Sequence, residues 1–504
     1  MALHFTKDEF SKRKKDVLKS MKEQKLDALL MFRQESMYWL TGYDTFGYVF
    51  FQALVLDQKG NIVLLTRAPD LRQAQNTSNI QDIKIWVDKD GVNPTDDLKI
   101  ILDELDLKNK KIGIEYEAYG MTGRNALKLN KSLENYCTVE DQSELITKLR
   151  VIKSNEELVY VKQAAELADR ALDEAWKYAK AGANEAKILA EMQRAVLEGG
   201  GDYPANEYII GSGDNALLCR YQAEKRNLSN IDQLSLEWAG TYKHYHSAMF
   251  RTIPIGKADP KHIKMHEACI EALTNCVKTL VPGKTAGEVF DAHAKTFDDL
   301  GFNKARMNAC GYSLGSTFSP NWMDWPMLYT GNPYKIVPGN VFFMHMILMD
   351  SDNNLVYENT GIYECAAITI FLCDRHSEKK LGPKITDPNR GLFLQTLIYF
   401  SNSVQTAFQT NYYPDRFVDL PLDEDSAKRR GIRRLRETWG VINDQIGNNK
   451  WVLGDTFSAA DLYLLMLTTW LAPDRGHPSV NEFSNVKRIA DLVMERPSAQ
   501  FVYK

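Results

Sequence analysis

The stretch that follows Ser154 constrains this chain more than any other. Ser154 and Glu157 stand in capping-box spacing, in which the hydroxyl and the carboxylate each satisfy a backbone N–H at a helix start. Leu158, Val161, Ala165, Ala168, Leu172 and Trp176 then recur at helical intervals. A helix of this length spans a small domain, so the chain must change domain around it, near Leu149. Upstream, strand-like runs at Leu26–Phe32, Val49–Leu56, Asn61–Thr66, Ile83–Val87 and Lys111–Glu115 alternate with helical periodicity, predicting an α/β domain over residues 1–148. Downstream, β-type segments at Gln233–Gly240, His246–Ile255 and Val341–Met349 flank a helical stretch from about Lys261 to Leu300, predicting an α+β domain over 149–355. From about residue 356 the pattern is almost wholly helical. A second capping box there, Ser458 with Asp461, has Phe457 in front of it as a hydrophobic staple.

Length and charge fit this three-part reading and exclude several functions. The 504 residues suffice for two to four domains, and a net charge of −4 gives no reason to expect nucleic acid or an anionic membrane as partner. No apolar run reaches the roughly 18 residues that a membrane helix needs. The first twenty residues are charged throughout, unlike a signal peptide. Seven scattered cysteines without a CxxC pair fit a reducing cytoplasm and offer no thiolate metal cluster.

Five landmarks occur in order over residues 143–350: LRVIKSNEEL, GSGDNALLCRY, LSLEWAGTYKHYHSAMFRTIPIG, CGYSLG and VPGNVFFMHM. Together they resemble the pita-bread fold of the creatinase and Xaa-Pro peptidase superfamily, and residues 1–148 resemble that family's N-terminal domain. The metallopeptidases among its members bind two metal ions through two Asp, one His and two Glu. At four of these five positions this sequence has Glu237, Ala248, Tyr312 and His345. Alanine has no ligand atom and neutral tyrosine is a poor ligand, so the resemblance implies no catalytic metal and no cofactor. The matches LTGYD (40–44), GGDYPA (200–205) and EWAGTYKHYH (237–246) resemble creatinase and, more closely, ectoine hydrolase.

That branch implies hydrolysis of a C–N bond in a small zwitterionic metabolite. An amidinium carbon is already electrophilic, so the site needs a base for water, a carboxylate for the cation and a cation for the substrate carboxylate. Glu237 is the candidate carboxylate and His345 the base and later acid, with Tyr312 beside them. Arg220 or Arg251 is the anion clamp, and Trp322 and Trp325, with Trp238, are aromatic faces for the cation. His244 and Tyr43 complete the expected substrate contacts, with His244 and His246 read as sharing one strand face. A bell-shaped pH profile with a limb near the ordinary histidine pKa follows from this set. The family also implies a homodimer in which the aromatic stretch 40–50 lies near the partner's pocket. The alternatives are an Xaa-Pro metallopeptidase, a lyase acting on a sulfonium zwitterion, and a catalytically inactive binding protein.

Residues 356–504 resemble the glutathione transferase family, chiefly its all-α C-terminal half. Its capping box corresponds to Ser458–Asp461, and its helix-opening motif to Glu364–Cys365. The first part of that fold, with the residue that activates glutathione, has no counterpart here. This reading ends the pita-bread domain early, at about residue 355.

Overall fold

A computed structural model describes residues 3–218, 220, 224–359, 369–370, 373–374, 377–384, 386–418 and 423–503. The chain divides into two compact units, Met1–Gly361 and Ile362–Lys504.

The first unit opens with a six-stranded sheet formed by β1 (Ala28–Met31), β2 (Ala53–Asp57), β3 (Ile62–Arg67), β4 (Asp82–Trp86), β5 (Lys111–Ile114) and β6 (Thr138–Asp141). Its order is β4-β3-β2-β1-β5-β6, with β1 antiparallel to β2 and parallel to β5. Buried runs such as Ala28–Met31 and Ala53–Asp57 identify strands covered on both faces. The covering helices include α1 (Lys7–Glu23), α2 (Gln34–Thr41), α3 (Ala68–Thr77), α4 (Pro94–Glu104), α5 (Gly123–Leu133) and α6 (Leu145–Arg150). This is the α/β architecture expected over 1–148.

The linking helix is α7 (Asn155–Tyr178), and both halves of its capping box form: Ser154 Oγ accepts from Glu157 N, and Glu157 Oε2 accepts from Ser154 N. The expected face is rotated by about one residue. Ala164, Leu167, Ala168, Ala171, Leu172 and Ala175 are buried, whereas Trp176 is exposed. The small stripe lets α7 approach the second sheet at Gly240, where a Cβ would lie 1.9 Å from the Ala164 carbonyl oxygen. Glycine is therefore required at that crossing.

A second sheet follows, with β7 (Ile209–Ser212), β8 (Asp232–Tyr242), β9 (Tyr245–Ile255), β13 (Met346–Asp350) and β14 (Leu355–Asn359) in the order β13-β14-β9-β8-β7. A three-stranded sheet of β10 (Gly311–Ser313), β11 (Asp324–Met327) and β12 (Phe342–Met344) stands beside it. Helices α8 (Glu185–Glu198), α9 (Pro260–Thr279) and α10 (Ala286–Asp299) complete the α+β domain. Strand β14 pairs with β13 and β9, so the domain runs past the boundary expected at 355 and the unit ends at Gly361.

The second unit is helical, with α11 (Arg390–Tyr399), α12 (Thr406–Tyr412), α13 (Glu424–Ile446), α14 (Ala459–Thr468), α15 (Ser484–Met494) and α16 (Pro497–Tyr503). Its core gathers Phe393, Leu397, Phe400, Trp439, Leu464 and Ile489. The Ser458–Asp461 capping box forms, and Asp461 also accepts from Val452 N at 2.8 Å. Glu364 and Cys365 lie outside the described residues.

Candidate functional site

The β8–β9 hairpin determines which side chains can meet. Its turn is Lys243–His244, both with positive φ (52° and 64°), between the paired residues Tyr242 and Tyr245. This two-residue turn fixes the register: Glu237 faces Phe250, Ala239 faces Ala248, and Ser235 faces Thr252. Directly paired residues share a sheet face, so Glu237, Ala248 and Phe250 lie together. Trp238 pairs with Met249, and Leu236 with Arg251, on the opposite face. That face meets α7, where Trp238 Nε1 donates to the Ala168 carbonyl at 3.0 Å.

Three further elements close around Glu237. Tyr312 comes from β10, paired with Phe343 of β12. The segment expected as one strand, Val341–Met349, breaks at His345 between β12 and β13, and the His345 N–H donates to the Cys310 carbonyl at 3.0 Å. The His345 ring sits 5.9 Å from the Tyr312 ring, 5.5 Å from Phe343 and 6.0 Å from Phe250. The Tyr312 hydroxyl engages the Glu237 carboxyl and accepts from Trp322 Nε1 at 2.9 Å. Glu358 of β14 is also buried here; it accepts from Ser235 Oγ at 2.8 Å, and the Glu237 charge acts on it.

Burial dominates the electrostatics. It pushes the Glu237 carboxyl up to about 8, against the pull of the Arg220 charge and the Tyr312 hydrogen bond. Burial and the neighbouring Glu237 hold Glu358 well above the usual carboxyl range. Burial also pushes His345 down to about 4 and raises Tyr312 well above the usual tyrosine range. Near neutral pH the pocket therefore holds a neutral imidazole, an un-ionised phenol and a Glu237 carboxyl that is mostly protonated. An activity limb near the ordinary histidine pKa does not arise from this arrangement.

Several expected contacts lie elsewhere. Arg251 is on the α7 face, where its charge acts on Asp169 of that helix, so it is not an anion clamp in this pocket. His244 occupies the hairpin turn rather than a strand face shared with His246. It pairs with Asp44 Oδ2 at 2.9 Å and stacks on Phe318 at 4.2 Å, tying the hairpin to the N-terminal domain. His246 is fully buried, with Nε2 accepting from Ala205 N and Nδ1 against Thr317 Oγ1, and burial pushes its pKa down to about 3. Tyr43 lies in the N-terminal core with its hydroxyl donating to Gln52, so it cannot touch a substrate here. Trp322 is buried and offers Tyr312 its N–H rather than an open ring face. Trp325 packs edge-on against Tyr334 at 5.1 Å. Arg220 is exposed, and its charge reaches both Glu237 and Tyr312.

The donor set does not suit a pair of metal ions. Ala248 supplies no lone pair on the Glu237 face, and Tyr312 holds its proton. Among the described residues no three or more His, Cys, Asp or Glu side chains are grouped to hold a metal ion.

Comparisons with known proteins agree with this layout. Residues 13–152 match the creatinase/prolidase N-terminal domain, residues 160–372 match metallopeptidase family M24, and residues 418–497 match the glutathione S-transferase C-terminal domain. The chain is 25% identical over 364 residues to the ectoine hydrolase of Halomonas elongata, covering 67% of this chain and 91% of that protein. It is 24% identical over 324 residues to the Xaa-Pro dipeptidase of Pyrococcus horikoshii, covering 63% of this chain and 84% of the relative. Among solved structures, a dipeptidase from Pyrococcus horikoshii superposes with a TM-score of 0.61 at 22% identity, over 69% of this chain and 93% of that one. The Xaa-Pro dipeptidase of Bacillus anthracis gives 0.61 at 18% identity, with the same coverage. These structures share the fold of the first unit. The M24 match extends to residue 372, again beyond the boundary expected at 355.

Proposed function

The chain belongs to the creatinase and Xaa-Pro peptidase superfamily and carries a glutathione S-transferase C-terminal domain, and from that premise we propose that it hydrolyses a C–N bond in a small zwitterionic nitrogen compound without a catalytic metal. The observation that carries this reading is the enclosure of Glu237, Tyr312, His345 and Glu358 on a sheet face where Ala248 leaves no metal ligand. A cationic amidinium or guanidinium group entering beside Glu237 favours the ionised carboxyl and draws its proton off to solvent. Water then attacks the electrophilic carbon as His345, neutral above about pH 4, takes the water proton. The C–N bond breaks, and the imidazolium returns that proton to the leaving nitrogen. Burial makes it a strong acid for this second step. Arg220 holds the substrate carboxylate by charge-assisted hydrogen bonds.

The chain acts as a cytoplasmic homodimer in this proposal. The aromatic stretch after Tyr43 supports it: Phe46 is 74%, Val49 47% and Phe50 49% exposed, an apolar edge suited to a second copy. Among the described residues no helix is long and apolar enough to cross a membrane.

The test is a turnover screen against ectoine, creatine, proline dipeptides and sulfonium zwitterions, with product detection, for wild type and His345→Ala. Hydrolysis of a cyclic amidine or guanidino compound that is lost in the variant supports the reading. Turnover of proline dipeptides that depends on added divalent metal overturns it.

A further inference from the structure

The proposed chemistry leaves out one side chain that is hydrogen-bonded into the pocket wall, Trp322. It is buried in the segment 314–323 between β10 and β11. Several bonds tie that segment down. His246 N donates to the Gly315 carbonyl at 3.2 Å, Thr317 N donates to the His244 carbonyl at 3.1 Å, and Thr317 Oγ1 lies 3.1 Å from His246 Nδ1. Phe318 N donates to Glu35 Oε1 of α2 at 3.1 Å, and Met323 N donates to Asn321 Oδ1 at 3.0 Å. Trp322 is thereby held where its Nε1 donates to the Tyr312 hydroxyl oxygen at 2.9 Å. Tyr312 is itself fixed by strand pairing with Phe343, whose ring lies 5.2 Å from its own.

An indole nitrogen only donates, whereas a phenol hydroxyl has a single proton and accepts at its oxygen. With Trp322 donating to that oxygen, the Tyr312 proton has to point away from the indole, and the Glu237 carboxyl is the partner it engages. We infer that Trp322 is a positioning residue: its N–H occupies the Tyr312 hydroxyl oxygen, keeps the hydroxyl proton turned to Glu237, and so steadies that carboxyl in the charged form that holds the substrate cation. This rests on the reading of Glu237 as the carboxylate of the pocket. A hydrogen bond to the charged form of a carboxyl favours that form. A hydroxyl that already accepts a hydrogen bond is the stronger donor, because the bonds of a chain polarise one another. The other titratable or charged groups facing Glu237 and Tyr312, among the described residues, are Arg220, Glu358 and His345, and the His246 ring lies 6.3 Å from Trp322. His345 and His246 are neutral above about 4 and about 3, which leaves Glu358 as the carboxyl to be told apart from Glu237.

The experiment is a pH series of indole N–H spectra by 15N NMR, on the full chain without substrate and with its nine tryptophans labelled. Trp322→Phe removes the signal of interest and Tyr312→Phe moves it, so either variant identifies it. In wild type the Trp322 signal should shift downfield as pH rises through about 8, because ionised Glu237 draws the Tyr312 proton and makes the hydroxyl oxygen a better acceptor. This shift should vanish in Glu237→Gln and in Tyr312→Phe and persist in Glu358→Gln. A Trp322 signal that stays flat, or that titrates unchanged in Glu237→Gln, overturns the inference and marks Trp322 as packing alone. With the identified substrate, Trp322→Phe should lower kcat/KM about 2–10-fold at neutral pH, the scale of one hydrogen bond, and move its rising limb to higher pH. Added to Tyr312→Phe, the same substitution should change neither. Equal losses in the two backgrounds overturn the relay, because the effect then passes through packing. A complete lack of turnover in the substrate screen removes the proposed hydrolysis instead, while the indole signal still decides the relay.

Discussion

Replacing Glu237 by glutamine should stabilise the fold while destroying the chemistry, by an amount that depends on pH. Burial lifts the Glu237 pKa from 4.5 to about 8 in the folded chain. Between these values the folded protein holds a proton that the unfolded chain has released, so stability falls as pH rises through the window. The loss is about 1.4 kcal/mol per pH unit, or roughly 5 kcal/mol across the whole shift. Glutamine keeps the shape and is neutral at every pH. Relative to wild type, Glu237→Gln should therefore gain little at pH 5 and about 3–5 kcal/mol at pH 8. Calorimetry of the full chain without substrate, at both pH values, reads this as a transition of the first unit moving up by several degrees at pH 8 and hardly at pH 5. The same variant should lose turnover by about 10²–10⁴-fold. An equal shift at both pH values, or a lower melting temperature at pH 8, would refute the claim that this carboxyl is buried and protonated in the resting protein.

The other expectations are more direct. His345→Ala should lower kcat by about 10²–10⁴-fold with the fold retained by circular dichroism; wild-type rates with the identified substrate would place the base elsewhere. In wild type, kcat/KM should rise with pH through about 8 as Glu237 ionises, with no limb near the ordinary histidine value, since His345 is neutral above about 4; a clear limb near pH 6.5 counts against both assignments. Elemental analysis should find no stoichiometric divalent ions and chelators should leave turnover intact, whereas two bound metals and chelator-sensitive activity would contradict the donor chemistry around Ala248. Light scattering should give a dimer, weakened by Phe46→Ser; a fully active monomer sinks that reading.

The α/β and α+β organisation was legible because its signals are local. Capping boxes and alternation mark α7, α14, β8 and β9 in the sequence. One element lacks any such local signal. Strand β6, Thr138–Asp141, reads TVED, mostly exposed at the sheet edge, so it has no apolar alternation to detect. The boundary at 355 fails because the stretch from Leu355 to Asn359, LVYEN, also fits the start of the transferase-like part. The strand is recognisable from its pairing with β13 and β9, which is non-local information. Glu358 was missed for the same reason. Its importance comes from Ser235 and Glu237 across the sheet, far away in sequence.

The misplacement of Arg251 and His244 has a different cause, because the sequence did contain the information. Lys243–His244 between two tyrosines is a two-residue turn, and such a turn makes the numbers of paired residues add to a constant. Tyr242 opposite Tyr245 puts Glu237 opposite Phe250 and leaves Arg251 opposite Leu236, one step out of phase. Because sheet faces alternate with period two, that step sends Arg251 to the helix side whatever its chemistry. The same arithmetic removes His244 from the strand and leaves His246 opposite Thr241. Residue type and nearness to the family landmarks do not carry the parity of the strand. Parity also explains why the pocket keeps its identity without ligand carboxylates at every position. Ala248 stays on the Glu237 face, so a side chain without a donor atom stands beside the carboxyl while the site keeps its place in the sheet.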